Sequence, residues 1–182
     1  MPRPHRRLVL GLAHHIVQRG HGRQPVFDGP AAYRSYLHDL CRLAKQQDVA
    51  VHAWCLMGNH VHLLLNPLRD AQAIPLLMKT LSGQATRRHN RRHDRSGSLW
   101  EARYRCRLVD TTEYLLRCCC YIERNPVEAG LAGHPASYPW SSYRLRMGMG
   151  GEGCFTPDMV YLALGNTEAE RRAVYRGWIQ RA

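Results

Sequence analysis

Two histidines stand two residues apart in Met57-Gly-Asn-His-Val-His-Leu-Leu-Leu65. In an extended strand such residues project to the same face, so His60 and His62 would present their imidazoles side by side while Val61, Leu63 and Leu65 turn into a core. With an oxygen ligand, two imidazoles suit a divalent cation, Mg²⁺ or Mn²⁺, and leave positions for water and a phosphate oxygen. The same pair could instead serve without metal as general acid and base, the arrangement of a phosphoesterase or RNA-processing enzyme. Polar residues alternating on a half-exposed sheet would look identical, so the chemistry needs further partners.

A tyrosine is one. A phenolate attacks phosphorus and can leave again, storing the broken phosphodiester in a covalent link. Because a phenol ionises only near pH 10 or so, it needs a polarising cation nearby. Tyr114 and Tyr121 lie seven residues apart on one predicted helix, so they share a face and periodicity does not choose between them. Four residues after Tyr121 stands Asn125, whose amide oxygen is a hard ligand fitting Mg²⁺ or Mn²⁺; four after Tyr114 stands Cys118, a soft one.

The elements that must position these groups follow from pattern. His14 to Arg19 and Val49 to Met57 read as strands, and Gly58-Asn59 reads as a two-residue hairpin turn with positive φ, leading into a strand from His60 to Leu65. Tyr33, Tyr36, Leu37, Leu40 and Ala44 form a helical stripe behind Pro30. Ile74, Leu77, Met78, Leu81 and Ala85 form another within 72–92, with Arg87, Arg88, Arg91, Arg92 and Arg95 crowded at its end. Trp100 to Val109 alternates, which predicts one strand with Arg103, Arg105 and Arg107 on a common face. Thr111 or Thr112 can cap the helix bearing both tyrosines, and Pro126 is expected to end it within a residue or two, because it disfavours helical geometry at Asn125.

Strands joined by a tight hairpin, with helices between the others, predict an α+β domain with a mainly antiparallel sheet. The expected divisions are a main domain over 1–146, a glycine-rich linker over 147–153, and a helical tail over 154–182. Within that tail Thr167-Glu-Ala-Glu170 is a capping box, and Tyr175, Trp178 and Ile179 are spaced to dock on the domain.

The chain has 182 residues and a formal net charge of +12, which points to a polyanionic partner. All its basic residues except Lys45 and Lys79 are arginines, the side chain suited to forked phosphate contacts. The arginines at 87, 88, 91, 92, 103, 105 and 107 are the candidate DNA contacts. Trp100, Tyr104, Arg3, Arg6 and Arg7 are candidates for base contacts, although a core role is favoured for the two aromatics. Seven cysteines without a CxxC pair indicate neither a disulfide framework nor a zinc ribbon, and Cys118, Cys119 and Cys120 are expected to pack in the core. No run of about 18 apolar residues predicts a membrane span, and the default expectation is a cytoplasmic, nucleoid-associated protein.

Several ordered motifs together resemble the single-tyrosine HUH transposases, and among them the REP-associated tyrosine transposases. They are His14-His-Ile-Val-Gln-Arg-Gly20, Ala53-Trp-Cys-Leu-Met-Gly-Asn-His-Val-His-Leu-Leu-Leu65, Leu99-Trp-Glu-Ala-Arg-Tyr104, Glu113-Tyr-Leu-Leu116, Tyr121-Ile-Glu-Arg-Asn-Pro-Val-Glu-Ala-Gly130 and Tyr138-Pro-Trp-Ser-Ser-Tyr-Arg144. The resemblance implies a ferredoxin-like HUH fold, with His60, His62 and Asn125 as ligands of Mg²⁺ or Mn²⁺ and Tyr121 as nucleophile. It also implies single-stranded DNA substrates, REP-type hairpins, cleaved with a 5′-phosphotyrosine bond and a free 3′-hydroxyl, by a monomer or a homodimer. Insertion-element relatives usually carry glutamine where this chain has Asn125. The alternative is a domesticated hairpin-binding protein with little nuclease activity.

Overall fold

The computed structural model describes residues 7–181. Four strands, β1 (Ala13–Arg19), β2 (Val49–Met57), β3 (His60–Pro67) and β4 (Arg105–Val109), form one antiparallel sheet in the order β2-β3-β1-β4. With α1 (Pro30–Gln46) between β1 and β2 and α2 (Ala73–Arg92) between β3 and β4, the chain traces the βαββαβ path of a ferredoxin-like fold, as expected. The helix α3 (Thr112–Glu128) follows β4, and the short helices α4 (Tyr143–Arg146) and α5 (Met159–Leu162) precede α6 (Glu168–Arg181).

The sheet separates two apolar layers. On one face α1 and α2 bury their stripes, Leu37, Leu40, Ile74, Leu77 and Leu81 among them, against Ile16, Val61, Leu63 and Leu65. On the other, α3 lays Leu116, Cys119, Cys120 and Ile122 over Ala53, Cys55, Leu64 and Val109. A register shift at His52 in β2 displaces the alternation by one, so that Trp54 and Leu56 join Val49 and Val51 in the first layer.

Three local expectations are corrected. The strand predicted from Trp100 begins only at Arg105, because Trp100 forms an isolated bridge with Gly20 and sends its indole N–H to Ser82 O at 3.2 Å under α2. Trp100 and Tyr104 are both buried, in keeping with their favoured core role. The tyrosine helix ends at Glu128, within two residues of Pro126 as expected, but Asn125, expected to leave helical geometry, stays in it. In a last turn the ring removes little, since Ala129 N–H reaches Asn125 O at 3.0 Å and Leu131 N–H reaches Pro126 O at 2.8 Å. Finally, neither Gly58 nor Asn59 takes positive φ. Neighbouring segments brace that turn, Val26 N–H donating to Gly58 O and Gly20 N–H to Asn59 O, each at 2.8 Å.

The segment after α4 folds back on the domain. Arg146, fully buried, donates to Glu123 Oε1 at 3.1 Å and to His52 O at 2.7 Å, while Glu123 also accepts from Ser142 Oγ at 2.6 Å and from Tyr175 Oη at 2.7 Å. Tyr175 and Ile179 of α6 are buried against α3, and Glu170 N–H donates to Thr167 Oγ1 at 3.2 Å in the expected capping box. Among the described residues no helix is long and apolar enough to cross a membrane.

Candidate active site

The pairing of β1 with β3 sets Arg19 opposite His60 and Val17 opposite His62, and paired residues of antiparallel strands share a face. His60 and His62 therefore point, with His15 and Arg19, to the α3 side of the sheet. Their rings lie 5.0 Å apart between centroids, nearly at right angles. His60 Nδ1 is 2.7 Å from Asn59 Oδ1; an amide oxygen only accepts, so Nδ1 carries the proton and Nε2 keeps its lone pair. His62 Nδ1 and His15 Nε2 share a hydrogen bond of 3.0 Å with the rings stacked, which leaves His62 Nε2 clear. Burial holds His62 down at about 3 and His15 at about 4, with His15, His60 and Arg19 adding to the first and Arg107 to the second, so both rings are neutral at physiological pH.

Tyr121 comes from α3 onto this cluster. Its ring meets His62 edge-on at 5.7 Å and His15 at 5.9 Å between centroids, and 52% of the residue remains exposed. Tyr114, two turns earlier, instead lies under the Arg107 guanidinium at 5.0 Å. The geometry thus separates two tyrosines that periodicity left equivalent. One turn beyond Tyr121, Asn125 donates its amide N–H to Tyr121 O at 2.7 Å, an orientation that leaves Oδ1 available as an acceptor.

These groups fit a divalent cation of the Mg²⁺ or Mn²⁺ class. Among the described residues no group of three or more His, Cys, Asp and Glu side chains is arranged to hold a metal. The Asn125 amide oxygen is a hard donor of another type, and the His60 and His62 imidazoles are nitrogen donors of the kind that such a cation accepts.

The sequence matches the family model described as "Transposase IS200 like" over residues 9–125, a span holding the histidine pair, Tyr121 and Asn125. The chain belongs to the IS200-like transposase family. No curated protein matches it. Among solved structures, a REP-associated tyrosine transposase bound to a REP hairpin superposes with a TM-score of 0.70 at 17% identity, over 88% of this chain and 96% of that one, and so shares the fold. A crystal structure of a candidate transposase from Deinococcus radiodurans R1 aligns at a TM-score of 0.44 and 25% identity, over 63% of this chain and 91% of the other.

In this IS200-like transposase the predicted arginines fall into two groups. Arg105 and Arg107, paired with Val17 and His15, share the histidine face. Arg103 lies outside the strand, yet it lines with Arg19 and Arg105 a cleft of about 160 Å³. The α2 arginines belong to the opposite layer: Arg88 is ion-paired with Asp39 at 2.5 Å and Arg92 with Asp28, whereas Arg87 and Arg91 are exposed. Arg7 is exposed, and Arg3 and Arg6 lie outside the described residues. His15 and Arg19 are the site residues that the sequence reading did not assign. Their alternation in β1 placed them on one face, but only the pairing of β1 with β3 puts that face beside the histidine pair.

Proposed function

We propose that this transposase is a metal-dependent single-strand DNA endonuclease that cleaves and rejoins DNA hairpins, of the REP type, through a covalent bond to Tyr121. The observation that carries the reading is the Tyr121 ring set edge-on against His62 and His15, with Asn125 one turn along the same helix. The phenolic oxygen of Tyr121 attacks phosphorus and the bond to the 3′-oxygen breaks. The products are a 5′-phosphotyrosine and a free 3′-hydroxyl, and the reverse attack by a 3′-hydroxyl rejoins the strand.

His60 and His62 through Nε2, with Asn125 through Oδ1, would hold the cation, which when bound supplies Lewis-acid stabilisation of the phosphoryl oxygens. Asn59 fixes the His60 tautomer, and with His15 Nε2 accepting from His62 Nδ1–H the His62 Nε2 is free in the same way. Arg105 and Arg107, on the same face, are placed for phosphate contacts that position the strand without reading its sequence. The hairpin bound to the structurally similar REP-associated transposase supports a hairpin partner for this chain as well.

The test is a DNA hairpin with a single-stranded flank, incubated with Mn²⁺ and resolved on a denaturing protein gel. A covalent adduct is expected for the wild type and for Tyr114→Phe, and none for Tyr121→Phe. An adduct surviving Tyr121→Phe would overturn the assignment of the nucleophile. Hairpin binding with no adduct from the wild type would leave a binding protein without strand transfer.

A further inference from the structure

A cleft of about 930 Å³ opens between α3 and α6 immediately beside Tyr121. Arg117, Tyr121, Arg124 and Asn125 line it from α3, and Trp178 and Arg181 from α6. We propose that this cleft carries the single-stranded DNA next to the scissile phosphate, with Trp178 as a stacking platform for a base and the arginines as phosphate contacts. The proposal rests on the nuclease reading above and gives α6 a role in it.

Continuity is the first argument. Tyr121 and Asn125 belong to the cleft and to the candidate active site alike, so a strand whose phosphate reaches Tyr121 already lies at its mouth. Chemistry is the second. Three guanidiniums face one carboxylate, Glu128, across the lining, and Arg181 makes no ion pair among the described residues. Arg117 is held by Glu113 at 2.7 Å in an exposed pair one helical turn apart, which is weak and readily exchanged for phosphate, while Arg124, partly buried, is held by Glu128 at 2.7 Å.

The third argument is how α6 is mounted. Tyr175 and Ile179 are buried against α3, and Arg124 donates to Ile179 O at 3.0 Å, so the wall is fixed. Trp178, between these anchors, is only half-buried and presents an indole to the cleft with the Arg181 guanidinium 5.9 Å from its ring. An aromatic face flanked by arginines stacks any base and tracks a backbone, the combination used for single strands.

The test measures binding, not cleavage, with Tyr121→Phe protein and two fluorescent probes, a hairpin with single-stranded extensions and its blunt counterpart. Trp178→Leu, which keeps apolar bulk but no aromatic face, is expected to weaken the extended hairpin roughly five- to a hundredfold and leave the blunt one unchanged. Trp178→Phe should restore most of the loss. Arg181→Gln should lower the log–log salt slope for the extended probe by about 0.7. Equal weakening of both probes by Trp178→Leu, or no weakening of either, overturns the proposal while leaving the nuclease reading intact. Failure of the parent protein to bind any hairpin would sink that reading too.

Discussion

Which nitrogen of an imidazole can take a metal is settled by what the other nitrogen does. His60 owes its free Nε2 to Asn59, and the partner of His62 Nδ1 is His15, a residue on another strand. His15 is thus a positioning residue: in the tautomer that leaves His62 Nε2 unprotonated, His62 Nδ1–H donates to His15 Nε2. His15→Ala is expected to weaken Mn²⁺ binding to the DNA-free protein by roughly 10- to 100-fold, read by electron paramagnetic resonance titration, with partial recovery in His15→Gln, whose oxygen can accept the same proton. Unchanged affinity in His15→Ala would remove it from the site. His60→Ala and His62→Ala should each abolish the covalent adduct while hairpin affinity stays near that of the wild type. Loss of binding in parallel with cleavage would mean that the pair holds the fold or the DNA, not the cation.

At the scale of elements, α3 carries both Tyr121 and Asn125, so its start and its length set the site. Thr111 accepts from Tyr114 N–H at 3.2 Å at the helix start. Thr111→Ala should cost about 1 kcal/mol in urea unfolding, and a cost near zero would show that packing alone fixes that end. The cap was legible in the sequence, as were β1 to β3, α1 and α2, because each is written in a local period of two or of three to four residues. Residues 100–104 were not, since their alternation also fits a strand until Trp100 turns inward to Ser82. Pro126 misled in the same way, as a local preference at Asn125 gave way to packing of α3 on the sheet. For the site, spacing gave the histidine pair and left two tyrosines. Asn125, four residues after Tyr121, and the surrounding motif favoured Tyr121, whereas the recruitment of His15 depends on strand order and on the seat of α3, which are long-range facts that no local period encodes.

For the whole molecule, the consequential feature is a buried charge cluster that joins four segments. Arg146 and Glu123 have no exposed side-chain surface, and through them the bulge at His52, the segment at Ser142, the tyrosine helix and Tyr175 of α6 are held together. The rings of Phe155 and Tyr175 each lie 4.6 Å from the Arg146 guanidinium, and that of Tyr161 lies 5.1 Å away. Glu123 is two residues from Tyr121, so whatever loosens this cluster loosens both the helix that carries Tyr121 and the wall opposite it. Removing Glu123 leaves the buried Arg146 with only Asp158, whose Oδ2 lies 3.9 Å from its guanidinium, so Glu123→Ala is expected to cost about 3–5 kcal/mol in urea unfolding. Replacing both charges, Glu123→Leu with Arg146→Met, should cost less than the sum of the single changes, because the second substitution removes the cation that the first leaves with Asp158 alone. Additive losses in that cycle would mean that Arg146 and Glu123 stabilise the fold independently. The anchoring of α6 would then have to come from the burial of Tyr175 and Ile179 alone.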